Sequence, residues 1–425
     1  MTQAVFKKTM AVAAAAVLLA TAACESKSPS EDTGAAGPSA ASGDPIVVGS
    51  TLSLSGAFAA TGAIHKIAGE LFVERLNDSG GLLGRPVRWV VRDDESDQAK
   101  VSTLYEQLIT QDRVDLIIGP YATPNILSAM AVAARHRYTM PQHTAVIAPL
   151  LTYECQFPAW SIGPTPNEFV PNQLFEATAG LPTPPKRIAI LTNQNGSTDF
   201  VSYGSGDNKT GAVSITKQKG LDLVLEVRYP PTTTDWAPIA ARVRDARPDL
   251  VINNGLGVDP VNLLQAMAQL GYKPPMMFSL FPAPGPPLGL GATAEGLLSV
   301  SIFEPNKPTL DKLGGDAATI VGEFKARAET AKLPYTVFET QAASSWNAWE
   351  ILVAGVTAAG GTDQAGMCDA LHQNGAQTTF SGKLTFDPAQ NNFWPTTQTI
   401  KQIQDGDWVT VWPQDRAAGT LRGPA

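Results

Sequence analysis

One pattern constrains this chain more than any other. Short apolar strands alternate with helical stretches, and the alternation is run through twice. The first set has strands at 46–49, 87–92 and 114–118, with helices at 63–77, 99–111 and 125–137. The second has strands at 187–191, 222–228, 250–253 and 276–280, with helices at 236–246 and 260–270. Such alternation specifies a parallel, doubly wound sheet, because each crossover helix packs back on the sheet it left. A grammar that restarts after a proline-broken segment specifies two such sheets, so the expected class is α/β with two doubly wound lobes. The tail adds a strand at 296–303, helices at 315–332, 338–359 and 363–374, and antiparallel strands at 383–386, 397–404 and 408–412, with Gly406 in the last turn. It completes both lobes only if the chain crosses between them more than once. That gives a multi-strand hinge beside a cleft able to close on a ligand. The expected division is 45–165 plus 295–375 for lobe 1, and 166–294 plus 376–425 for lobe 2.

At 425 residues with 44% hydrophobic content the chain has ample core for two lobes. A net charge of −8 argues against a nucleic-acid partner or a polybasic membrane face. Lys7 and Lys8 precede an apolar run at 10–20 that is too short to span a bilayer, so 1–23 reads as a secretory signal. Thr21-Ala22-Ala23 ahead of Cys24 has the form of a bacterial lipidation site, with Cys24 as the lipid-bearing N-terminus. Thr21 stands where that pattern prefers an aliphatic residue, so simple cleavage after Ala23 stays open. The stretch 24–44 is rich in Ser, Gly, Ala and Pro and reads as a flexible tether. The expected location is therefore the periplasm or the outer face of the cell membrane. Cys155 and Cys368 are free to pair in an oxidising compartment, but nothing in the sequence brings them together.

The third strand of the first set ends at Gly119-Pro120. Thr123 then stands directly before Pro124, which reads as an N-cap with proline in the first helical turn. A turn of this kind presents unpaired backbone N–H groups at the carboxyl edge of the sheet, where an anion is most easily held. An ordinary capped turn has the same sequence, so the stretch alone does not decide between the two.

Enzyme motifs are missing. The four histidines, His65, His136, His143 and His372, show no metal-ligand spacing. There is no Gly-x-Ser-x-Gly elbow and no P-loop lysine. Gly255-Leu256-Gly257 follows a strand, but Pro260 takes the third glycine position of a dinucleotide fingerprint. Asp93-Asp94-Glu95 reads as helix-capping residues rather than a cation site. No metal, no cofactor and no catalysis are expected.

The string Val48-Gly49, Leu54-Ser55-Gly56, Gly62, Asn77 with Gly80-Gly81 and Gly84, Asp93-Asp94 and Ile118-Gly119 resembles, in order and spacing, the type I periplasmic binding proteins of the branched-chain amino acid and amide group. Gly382-Lys383-Leu384, Phe386-Asp387 and Gly406 resemble that family's closing segment. The resemblance spans nearly all of the mature chain. It implies a monomeric receptor of an ABC uptake transporter: two lobes, a three-strand hinge, a small ligand trapped by closure, and permease subunits as partners.

Carried over residue by residue, the resemblance implies that Thr123, beside Tyr121 and Ala122, holds a ligand carboxylate. Ser55 and Phe58 fall at the cleft edge, and Thr61 stands where relatives often carry an aromatic. A family threonine that binds both ends of an amino acid falls on Ile147, which leaves only its backbone N–H. In the second lobe Leu256 stands near a family tyrosine and Phe281 near the apolar wall, with Trp160 and Tyr203 as further wall candidates. The family's ammonium-pairing acid has no counterpart, because no Asp or Glu occurs between Lys273 and Glu295. An uncompensated buried ammonium costs several kcal/mol. The expected ligand is a small carboxylate, either like a branched-chain amino acid or an apolar or aromatic acid lacking the ammonium. A ligand-sensing receptor of the same fold is the alternative, and a secreted hydrolase a more distant one.

Overall fold

The computed structural model describes residues 41–56, 58–393 and 398–424; the signal segment, Cys24 and nearly all of the tether lie outside them. The described residues fall in one unit. In chain order the elements are β1 (Ile46–Leu52), α1 (Ala59–Asp78), β2 (Val87–Asp93), α2 (Gln98–Thr110), β3 (Leu116–Ile117), α3 (Thr123–His136), β4 (Met140–Gln142) and β5 (Gln156–Pro158). Then come α4 (Pro166–Ala179), β6 (Arg187–Asn193), α5 (Gly196–Tyr203), α6 (Ala212–Gln218), β7 (Asp222–Tyr229), α7 (Ala237–Ala246), β8 (Leu250–Gly257), α8 (Asp259–Gln269), β9 (Met276–Pro282), α9 (Gly285–Leu288) and β10 (Leu298–Ser301). The tail holds α10 (Lys307–Leu313), α11 (Ala317–Thr330), α12 (Thr340–Ala359), α13 (Gln364–Asn374), β11 (Ala376–Thr378), β12 (Gly382–Leu384), β13 (Thr399–Gln404) and β14 (Asp407–Trp412).

Two sheets organise these elements, as the doubled alternation requires. In the first, β1 lies between β2 and β3, all parallel. The Gly119 N–H bonds the Pro141 carbonyl at 2.7 Å, which carries this sheet on to the parallel β4–β5 pair. The second sheet has the order β14-β13-β10-β9-β8-β6-β7. It is parallel from β7 to β10 and antiparallel at β13 and β14. Strands such as β8 are buried along most of their length, which is why they read as unbroken apolar runs rather than alternating ones. The final hairpin turns through Asp405-Gly406, both at positive φ, as its sequence requires.

The chain passes between the sheets after β5, after β10 and between β12 and β13. This sharpens the expected division. Leu298–Ser301, read with lobe 1, pairs instead with β9 and β13 in the second sheet. The β11–β12 hairpin, read with lobe 2, packs on α12, where Asn347 donates to Ser381 and Thr379 donates to Glu350. Helix α11 returns to lobe 1, with Arg75 of α1 paired to Asp316 and Glu323.

Five helices were not expected, the short α9 and α10 among them. α4 occupies the proline-broken segment, with Pro166 in its first turn where proline is tolerated. α5 follows β6 directly, and Asn195 caps it by accepting the Ser197 N–H. α6 follows at once, and neither short helix is long enough to print a clear period in the sequence. The acidic run also behaves differently from a helix cap. Asp97 caps α2, whereas Asp93 accepts the N–H groups of Leu54 and Ser55 and the Ser55 hydroxyl. Asp94 accepts from the Thr51 and Ser53 hydroxyls. With their oxygens filled by these donors, the two carboxylates shape the 53–56 loop rather than hold a cation.

α1 crosses that loop so closely that a Cβ placed on Gly62 would lie 1.9 Å from the Ser53 carbonyl oxygen. Gly62→Ala is therefore expected to destabilise by about 3 kcal/mol, the upper end for overpacking. Gly322→Ala, in α11 with nothing nearby, should instead stabilise by up to about 1 kcal/mol. Urea denaturation of the two variants checks the contrast, and equal midpoints would remove the close crossing from the account.

Candidate functional site

The carboxyl edge of the first sheet gathers the predicted residues. β3 ends at Gly119, and the chain turns through Tyr121 and Ala122 into α3. Ala122 has φ 73° and ψ 138°, a backbone region that favours glycine and costs a side-chain-bearing residue about 1–3 kcal/mol. Held there, it is the N-cap of α3, so Thr123 is not the cap the sequence suggested. The reason is a long-range bond: the Thr123 hydroxyl oxygen accepts the Val146 N–H at 2.9 Å, tying the helix start to the loop after β4. That leaves the hydroxyl proton available. The N–H groups of Thr123 and Asn125, in the first helical turn, have no earlier carbonyl in the helix to pair with. Asn125 Nδ2 and the Thr144 hydroxyl are buried without a hydrogen-bond partner among the described residues. The edge is rich in unmatched donors.

Four rings line one wall. Phe58 meets Tyr121 edge-on at 5.7 Å, Tyr121 meets His65 at 5.2 Å, and His65 stacks on His143 at 4.4 Å. Burial pushes the Tyr121 phenol up to about 12, against a smaller pull from the Thr61 hydroxyl. Both imidazoles are fully buried. Burial, and then the neighbouring His143, hold His65 well below its ordinary value, and burial brings His143 down to about 4. His65 Nε2 faces Gln341 Oε1 at 3.3 Å. At the start of α12, Glu339 accepts the Gln341 N–H. Burial raises the Glu339 carboxyl to about 7; Lys401 pulls it down and Glu304 pushes it up.

The other predicted residues fall as follows. The Ser55 hydroxyl is engaged by Asp93 at the exposed loop edge. Ile147 reaches the second lobe, its Cδ1 lying 3.9 Å from where a Cβ would stand on Gly196 of α5. Leu256 pairs in register with Phe281, and Phe281 meets Trp160 edge-on at 6.0 Å, so these three share one apolar contact between the lobes. Tyr203 is not with them; its hydroxyl bonds Glu226 and its ring lies under Arg228. The second-lobe edge carries no free acid among the residues that face it here. Asp259 accepts from Asn193, Tyr229 and the Leu256 N–H, and Asp199 is paired with Arg228. A surface hollow of about 890 Å³, lined by Arg113, Asp115, Tyr138 and Glu154, lies at the opposite ends of the lobe 1 strands.

Sequence reasoning missed His65, His143, Thr144, Asn125 and Glu339. The histidines had been weighed singly for metal spacing, and no local signal joins them. Asn125 was within reach, since it stands in the first turn of the helix already singled out.

A family profile described as periplasmic binding protein matches residues 45–407. The chain therefore belongs to the periplasmic binding protein family, and its two-lobed α/β architecture is that of type I. Leu/Ile/Val-binding protein homolog 7 of Brucella abortus (strain 2308) is 24% identical over 405 residues, covering 92% of this chain and 96% of that protein. The branched-chain amino acid transporter substrate binding protein LivJ from Streptococcus pneumoniae, solved in complex with isoleucine, superposes with a TM-score of 0.66 at 17% identity, covering 86% of this chain and 98% of that one. A Rhodopseudomonas palustris ABC transporter solute binding protein, solved in complex with benzoate, gives 0.67 at 19% identity, over 90% and 98% of the two chains.

Proposed function

We propose that this protein is the extracytoplasmic binding component of an ABC uptake transporter, and that it closes its lobes on a small carboxylate with an apolar or aromatic body. The observation that carries the reading is the strained helix start at Ala122–Asn125, with unmatched donors from Thr123, Asn125 and Thr144 around it. Anions are held at such a start by backbone N–H groups and the helix dipole together. Similar folds bind isoleucine in one solved relative and benzoate in another, which supports both ligand types. The second-lobe edge, whose acids Asp259 and Asp199 are already engaged, favours the ligand without an ammonium. In transport the receptor delivers its ligand to permease subunits, and a lipid on Cys24, outside the described residues, would keep it at the membrane. Cys24→Ser should then release it into the soluble fraction.

One observation favours the amino-acid reading. Glu339 is a buried carboxyl near Tyr121 that makes no direct ion pair among the described residues, feeling Lys401 only through space, and a ligand ammonium would supply one. Calorimetry decides. Thr123→Val should weaken a carboxylate ligand by about tenfold to a hundredfold, the worth of one hydrogen bond to a charged group, while Thr123→Ser should stay near wild type. Undiminished affinity in Thr123→Val would remove the helix start from the site. If leucine or isoleucine binds tightly and Glu339→Gln abolishes that binding, the amino-acid reading replaces the first.

A further inference from the structure

The donor-rich edge around Thr123 accounts for a carboxylate, but the same wall also holds unmatched acceptors. His65 is 0% and His143 1% exposed, so any ring nitrogen without a partner there bears a real desolvation cost. Gln341 Oε1 accepts from His65 Nε2, which fixes the proton on that nitrogen. Nδ1 is then a bare lone pair, and no donor among the described residues reaches it. The Pro120 backbone carbonyl faces the His143 ring, neither nitrogen makes a bond of good geometry among the described residues, and a neutral imidazole always carries one acceptor nitrogen. The rings are not loose. They stack at 4.4 Å with 30° between planes, Tyr121 covers His65, and the Ser345 hydroxyl bonds the His65 carbonyl. Thr144, next in the chain after His143, is unmatched as well. Two further unmatched acceptors, Asn193 Oδ1 and Asn254 Oδ1, stand near the ends of β6 and β8 in the second lobe. Their amide nitrogens are already engaged, by Asp259 and Ser202.

We infer that His65 and His143 form a neutral acceptor pair that selects a ligand bearing a hydroxyl group as well as its carboxylate. The inference rests on the carboxylate reading above and adds a second polar point of recognition. A hydroxyl fits because it donates to an uncharged lone pair without bringing a charge that needs a counter-ion. It takes the place that an ammonium and its acid hold in an amino-acid receptor. A site built around such a donor penalises the analogue lacking it, because the acceptors are then buried unpaired.

Isothermal titration of the mature chain with matched acids tests this. The aliphatic series is 4-methylpentanoate, 2-hydroxy-4-methylpentanoate and leucine; the aromatic series is benzoate with 3- and 4-hydroxybenzoate. The expected result is that in at least one series the hydroxy acid binds at least about tenfold tighter than its parent and than leucine. His143→Phe and His65→Phe keep a stacked ring and remove the nitrogens. They should bring the hydroxy acid to within about threefold of the parent while the parent's own affinity holds. If a variant does not fold, the wild-type ranking alone still decides. Equal binding of parent and hydroxy acid in both series means the histidines hold only buried water, and overturns the inference while leaving the carboxylate reading intact. A preference that survives both substitutions overturns it, as does leucine binding tightest. Failure of every acid to bind overturns the carboxylate reading and this inference together.

Discussion

Replacing Cys155 and Cys368 together by alanine is expected to be the most damaging change in lobe 1. The two sulfurs are bonded, with Cα atoms 5.3 Å apart and a sequence separation of 213. Cys155 stands just before β5 and Cys368 lies buried in α13, so the bond ties the last lobe 1 helix to the edge of its sheet. In the chain-entropy account, closing a loop of that length removes about 5 kcal/mol of freedom from the unfolded chain. Relaxation in the folded state reduces what is measured, and losses on removing native disulfides run at about 2–5 kcal/mol. The double alanine variant should therefore unfold at markedly lower urea. The wild type treated with dithiothreitol should shift toward it, and the variant should not respond to the reductant. Because both cysteines belong to one lobe, ligand affinity below the transition should be unchanged. A midpoint within error of wild type would mean that the bond contributes nothing to stability.

That bond also marks the limit of what the sequence could convey. The strand and helix pattern carried the two α/β lobes, because periodicity is local and each element reports its own burial. Thr123 was legible for the same reason, since it stands between a strand end and a proline. Its actual role was not legible, because Val146, which claims the hydroxyl oxygen, comes from the loop after the next strand. The pairing of His65 with His143 depends on α1 lying against the loop after β4, and neither residue carries a local mark of that contact. Asp93 and Asp94 read as caps because acids before a helix usually are; here the caps come from Asp97, and the loop at 53–56 claims the pair. Lys401 falls inside the strand expected at 397–404. Nothing nearby in sequence announces its partner, which lies 97 residues away.

Lys401→Met is expected to cost about 3–5 kcal/mol, and the cost should depend on pH. Lys401 is 3% exposed on β13; its ammonium lies 2.6 Å from Glu304 and 4.5 Å above the Trp408 ring. Glu304 stands just past β10 and also accepts the Ser301 hydroxyl, so the pair joins two of the segments that pass between the lobes. Removing one member of a buried ion pair leaves the other desolvated and uncompensated, which is the source of the large penalty. Glu339 adds the pH dependence. Its folded-state pKa is raised from 4.5 to about 7, chiefly by burial, with Lys401 as the opposing pull. A raised carboxyl contributes stability that is fully present below about pH 4.5 and lost as pH rises through about 7. Without Lys401 that pull disappears, and Glu339 stays protonated to higher pH. Glu304, itself buried, is left without its cation. The variant should therefore lie closer to wild-type stability at pH 5 and fall furthest below it at pH 8. Lys401→Met combined with Glu304→Leu removes both charges and should recover most of the loss, since an apolar replacement of a buried pair is often neutral. Urea titrations at the two pH values decide the matter. A penalty that is the same at pH 5 and pH 8, or a double variant no better than the single one, would show that Lys401 acts by packing against Trp408 rather than by neutralising the acids of the hinge.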